Sequence, residues 1–118
     1  MAELRKVLSE LAQVDGVTAA LVVGRDGFLI EGVSAEDELD LETVAAVTAS
    51  SVGASEALST DLRRGPLFSM MLEYETGAVV VAPVGGEAML VVVTSGTGNL
   101  GRVRLELRKR RTTIAEAL

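Results

Sequence analysis

Cysteine and histidine are both missing from the 118 residues. Without them no serine or cysteine nucleophile can be paired with an imidazole base. Zinc, which needs thiolate or imidazole ligands, is excluded as well, leaving only carboxylate sites for Mg²⁺ or Ca²⁺. A chain without cysteine has no disulfide framework and suits a reducing compartment. Aromatics are nearly absent too: Phe28, Phe68 and Tyr74 are the whole set. A core must therefore be packed from small and branched side chains. Residues 1–13 carry Glu3, Arg5, Lys6 and Glu10 among their apolar positions and lack the apolar centre of a signal peptide. No apolar run approaches the roughly 20 residues of a membrane-spanning helix. These absences set the expectation of a cytoplasmic protein with no cofactor, no metal and no membrane insertion.

What is present is a large apolar fraction, 48 % of the chain, mostly Val, Leu and Ala. That is enough for one core, and the length fits one domain over residues 1–118. The formal net charge of −6 is unevenly spread. Residues 100–118 carry a net of +4, so the rest sums to −10. An acidic body argues against nucleic acid as a partner, because such binding depends on neutralising phosphates.

Hydrophobic periodicity orders the elements. Leu4, Val7, Leu8 and Leu11 recur at helical spacing. Val17–Gly24 reads as a strand, Arg25-Asp26-Gly27 as a turn and Phe28–Gly32 as the returning strand. After an acidic loop, Asp40 is a natural N-cap for a helix over Leu41–Leu62, and Gly65-Pro66 supplies a stop signal. Strands follow at Leu67–Tyr74, Ala78–Val84 and Ala88–Thr94, with links short enough for an antiparallel meander. Pro83 belongs at a strand end or an edge, because it cannot donate to a ladder. A last helix spans Leu100–Leu118, with Leu100, Val103, Leu107, Ile114 and Leu118 as its apolar stripe. The class is α+β in the order α-β-β-α-β-β-β-α. VTAALVV, GAVVVAPV and AMLVVVT are apolar almost throughout. An antiparallel sheet with one wet face would alternate, so helices must cover both faces, most simply two on one side and the middle helix on the other.

The middle helix carries two kinds of apolar residue. Val44, Val47, Leu58 and Leu62 share one arc, which is assigned to the sheet. Ala45, Ala49, Gly53 and Ala57 form a row at i+4 spacing, with Ala46, Ser50 and Ala54 beside it. Such a ridge lets another backbone approach closely, and glycine inside a helix costs about 1 kcal/mol relative to alanine. Two readings stay open: a second subunit packs there about a two-fold axis, or the small residues let the helix sit low on its own sheet.

Four motifs carry little. Gly96-Thr97-Gly98-Asn99-Leu100-Gly101 fits G-x-G-x-x-G between a strand and a helix. A dinucleotide unit needs a further parallel strand and an acidic residue about 20 positions on, and neither follows here. Arg108-Lys109-Arg110-Arg111 is read as helix-end cations that offset the dipole, with no interleaved aromatic for base stacking. Glu36, Asp37, Glu38, Asp40 and Glu42 do not match an EF-hand loop. Arg63 and Arg64 are read as helix-end charges.

Taken together, Val14-Asp15-Gly16-Val17, Gly24-Arg25-Asp26-Gly27-Phe28, the small-residue middle helix and Asn99–Leu107 make the chain resemble the Roadblock family. That family includes dynein light chains and bacterial regulators of small Ras-like GTPases. The resemblance implies a five-stranded antiparallel sheet with helices on both faces. It also implies a homodimer in which the strand after the middle helix pairs with its copy into one continuous sheet. The implied interface is Ala45, Ala49, Gly53 and Ala57 on the helix, with Leu67, Ser69, Met71 and Glu73 on the strand. The implied role is non-enzymatic, as a regulator or scaffold that binds a small Ras-like GTPase and modulates its nucleotide cycle in a prokaryotic cytosol. The alternative is a structural adaptor that tethers larger assemblies without affecting turnover. Glu42, Thr48, Ser55 and Glu56, expected on the exposed side of the middle helix, are the GTPase-contact candidates.

Overall fold

A computed structural model describes residues 2–118. Its elements are α1 (Ala2–Ala12), β1 (Val17–Gly24), β2 (Leu29–Ser34), α2 (Leu41–Leu62), β3 (Met70–Tyr74), β4 (Gly77–Val84), β5 (Ala88–Thr94) and α3 (Leu100–Ala117). This is the expected order. The strands form one five-stranded sheet in the order β2-β1-β5-β4-β3, every neighbouring pair antiparallel.

Both faces of the central strands are covered. On one, Leu4, Leu8 and Leu11 of α1 and Val103, Leu107 and Ile114 of α3 pack on Ala20, Val22, Val80, Leu90 and Val92. On the other, Ala45 and Val52 of α2 pack on Ala19, Leu21, Val23, Val81, Met89 and Val91. That division of the helices is the one anticipated from strands that do not alternate.

Several boundaries follow from local chemistry. Gly27 takes a φ of +91° in the β1–β2 turn, and Gly24 N–H donates to the Phe28 carbonyl at 2.9 Å. Asp40 caps α2: its carboxylate accepts from Thr43 N–H at 3.2 Å and from the Thr43 hydroxyl at 2.7 Å. These bonds, the hydroxyl's first, hold its carboxyl below the ordinary value of 3.8.

The bounds expected for α2 hold, and its C-cap is Arg63, in the left-handed region (φ 56°), where Arg63 and Arg64 N–H donate to the Thr60 and Ser59 carbonyls. Three expectations are corrected. β2 begins at Leu29 and runs to Ser34, because a bulge at Val22/Val23 shifts the register so that Val23 faces Leu29. β3 begins at Met70, so Leu67 and Ser69 precede the strand. Finally, α2 is rotated from the expected setting, so that of the expected arc only Val44 packs on the sheet. Ala45, Thr48 and Val52 are its buried residues, whereas Val47, Leu58 and Leu62 are 61 %, 58 % and 53 % exposed. The reason is close approach to the hairpin. A Cβ on Gly27 would lie 3.6 Å from the Ala46 Cα and 3.8 Å from the Ala49 Cβ, and one on Gly32 would meet Leu41 at 2.9 Å. A branched residue in place of Ala45 would push the helix off the sheet.

Candidate functional site

α2 lies mainly over β1 and β2 and reaches Val81 and Met70, which leaves the outer end of that face, at Leu72 and Tyr74 of β3, exposed. Along β3, Met70 packs on the α2-side core and Met71 on the opposite one. Strand alternation then places Leu72 and Tyr74 on the α2 side and Glu73 on the α1/α3 side. Tyr74 is 59 % exposed, and Leu72 is exposed as well. With Val44, Val47, Met70 and Val79 they wall an apolar cleft of about 300 Å³ between α2 and the sheet edge. β3 pairs with β4 alone, so its outer backbone edge is free. An open edge beside an uncovered apolar face suits strand addition and helix packing by another polypeptide. Its polar lining is limited to the hydroxyls of Thr43, Thr48, Ser51 and Tyr74, with no charged side chain among them.

The sequence-derived candidates scatter around this cleft. Ala45 is fully covered by the chain's own sheet and Ala49 is half-buried, while Gly53 and Ala57 face outward. The first half of the small-residue row thus sets the helix low on its own sheet, and the second half is exposed. Leu67 is half-buried against the α2-side core, and Met71 is half-buried on the other side. Ser69 is half-buried and Glu73 exposed. Glu42 is exposed in the first turn of α2. Thr48, expected outside, is nearly buried and lines the cleft. Ser55 is likewise turned inward, its hydroxyl 3.1 Å from the Met70 sulfur. Glu56 is half-buried in an ion pair with Arg25 of the β1–β2 turn at 2.5 Å. Leu72, Tyr74 and Val79 are not singled out by the sequence, and Val47 is assigned there to the sheet. The signal was there in the apolar alternation of Met70, Leu72 and Tyr74 on a strand already expected at an edge.

The remaining motifs are absorbed by the fold. In α3, Glu106 is buried, Leu118 is half exposed and Leu105 is exposed, so the expected apolar stripe ends at Ile114. Burial raises the Glu106 pKa, but bonds from Arg110 (3.1 Å) and Lys109 (3.4 Å) outweigh it and hold the carboxyl ionised below its usual range. The Arg108 and Arg111 guanidinium groups stand 5.3 and 5.0 Å from the Phe68 ring centre. At the end of the glycine-rich β5–α3 loop, Asn99 is the N-cap residue but its side chain makes no capping bond; its amide donates to the Asp15 carbonyl at 2.7 Å. Among the described residues, no three acidic side chains gather to hold a metal ion, and no helix is long and apolar enough to cross a membrane.

The Roadblock/LC7 domain model matches residues 3–94, and the chain belongs to that family. The match ends with β5, before α3. Over 104 residues the chain is 35 % identical to the uncharacterized protein MJ0714 of Methanocaldococcus jannaschii, an alignment covering 88 % of this chain and 86 % of that one. Among solved structures it resembles the gliding protein MglB of Thermus thermophilus, with a TM-score of 0.90 and 26 % identity over 98 % of this chain and 87 % of that one. A second MglB structure, described as a tetrameric arrangement, gives a TM-score of 0.88 and 28 % identity, covering 95 % and 85 %.

Proposed function

We propose that the chain, as one Roadblock-type domain over residues 1–118, forms a homodimer through β3 and acts in a prokaryotic cytosol as a non-enzymatic regulator or scaffold of a small Ras-like GTPase. The observation that carries the reading is the half-covered sheet edge: a free β3 strand whose Leu72 and Tyr74 stay exposed on the α2 side. A second copy, added edge to edge, would continue the sheet to ten strands, twice the five of one chain. It would also bring its own α2 beside the cleft. The similarity to MglB supports the same assignment.

The dimer contact on this reading comprises Met70, Leu72 and Tyr74, the exposed side of α2 with Val47, Gly53 and Ala57, and the edge residues Met71 and Glu73. Ala45 drops out because its own sheet covers it. The GTPase would meet the outward surface of the paired α2 helices, where Glu42 is exposed and Glu56 is held by Arg25. Thr48 and Ser55 drop out because they face inward. With no catalytic group to contribute, any effect on hydrolysis would come from positioning the GTPase's own residues.

Light scattering on a sizing column over a concentration series tests the first half: a dimer mass is expected, and a monomer at every concentration overturns it. Hydrolysis and exchange rates of a candidate Ras-like GTPase, with and without the protein, test the second. A change in either rate is expected; binding without one would make the protein an adaptor. Charge reversal at Glu42 and Glu56 is expected to weaken that binding, and unchanged affinity would move the contact elsewhere.

A further inference from the structure

Among the described residues, Arg104, Arg108 and Arg111 form no ion pair with a carboxylate, while the neighbouring Lys109 and Arg110 share Glu106. The three lie on one side of α3 at i, i+4 and i+7, and with Phe68 and Ser69 they line a small cleft at the entrance to β3. Phe68 holds two of the guanidinium groups over its ring, and Arg111 also donates to the Pro83 carbonyl at 2.6 Å. Three like charges gathered in one place repel one another, and the ring offsets only part of that. They have been positioned, yet no anion of the same chain answers them.

The free edge supplies an answer. On the proposed pairing of β3 with its copy, on which this inference rests, a two-fold axis normal to the sheet sets residues of the same face opposite each other. Ser69, Met71 and Glu73 share the α3 side. An axis at Met71 places Glu73 of the partner subunit opposite Ser69. An axis at Leu72 places Glu75 of the partner subunit there instead, with Glu73 of the partner subunit opposite Met71. Either register carries a carboxylate to the mouth of the arginine cleft. We propose that Arg104, Arg108 and Arg111 form a clamp for Glu73 at the end of the partner copy's β3 and Glu75 in the turn that follows it, and thereby fix the register of the seam. Arginine suits this task because its planar fork bonds a carboxylate through two parallel N–H groups.

The test uses two full-length variants, E73R/E75R and R104E/R108E, all four substitutions at exposed positions, with far-UV circular dichroism confirming that each is folded. Where the wild type is dimeric, each variant alone opposes like charges across the seam. Its dimer dissociation constant is expected to rise roughly tenfold or more. Mixed in equal amounts, the two variants carry opposite charges at both clamps, and a heterodimer mass should return. If either folded variant stays as tightly dimeric as the wild type, or if the mixture remains monomeric, the clamp is overturned while the dimer stands. If the wild type itself is monomeric, the pairing beneath the clamp fails and the clamp with it. If R104E/R108E loses only salt-dependent binding to DNA or to phosphatidylserine vesicles, with its dimer intact, the arginines serve a polyanion and the proposal is wrong.

Discussion

The two ends of the sheet are built differently. At the β2–β1 end α1 and α2 lie on opposite faces, and every β2 residue is half-buried. At the β4–β3 end α3 covers one face, and on the other Leu72 and Tyr74 remain exposed. The first end is finished within the chain. The second has an apolar face and a row of free backbone donors and acceptors, the two things a further polypeptide can satisfy. On the proposed dimer, stability and association would be divided between opposite edges of one sheet.

The sharpest way to break that division is to remove the same side chain at each end. Leu21 of β1 is fully buried beneath α2. Leu21→Ala should lower the unfolding free energy by about 2–5 kcal/mol, read by urea denaturation at concentrations where the protein is monomeric. Leu72→Ala under the same conditions should cost less than about 1 kcal/mol, as a substitution at the surface does. Equal losses would mean that the two ends are not distinct. Next in size, Leu72→Arg should leave the monomer folded and raise the dimer dissociation constant roughly tenfold or more, because a charge enters a face meant to be dry. Unchanged sedimentation would remove β3 from the interface.

Gly53 gives a smaller effect. It faces outward in α2, and a Cβ there would meet nothing within 4 Å. Gly53→Ala should stabilise the monomer by about 0.5–1 kcal/mol through helix propensity. A weakened dimer in the same variant would locate a second backbone against this turn. The smallest effect concerns pH. Asp40 is held below its ordinary 3.8 by the Thr43 bonds, so its contribution is complete above that value and is lost as pH falls through the lowered folded value. Asn is as good an N-cap but does not titrate. Asp40→Asn should therefore flatten the acid limb of the stability curve, and a limb as steep as the wild type's would exclude this cap.

Much of the fold could be read in one dimension. The bounds of β1, α2 and β5 follow from apolar runs closed by Gly27, Asp40 and the 85–87 turn. What could not be read depended on distant partners. Leu67–Ser69 look as extended as the strand they precede, but continuing the register past Met70 and Val81 would set Phe68 opposite Pro83, which has no N–H to give. The inward side of α2 was misassigned because both of its arcs are apolar, and volume alone favoured Val47 and Leu58 over Ala45. The choice was made by Gly27 and Gly32, which let the hairpin come so near that only small side chains fit. Phe68 and its arginines are far apart in sequence, and no local pattern announces that meeting.

The uncovered half-face has one more consequence, in the thermodynamics of quantity. If a second copy buries Leu72 and Tyr74, unfolding and dissociation become a single linked equilibrium, and stability ceases to be a constant of the sequence. Each tenfold dilution would then remove about 1.4 kcal/mol from the apparent stability of the dimer. The number of copies a cell keeps would in that case help to decide how firmly each copy stays folded.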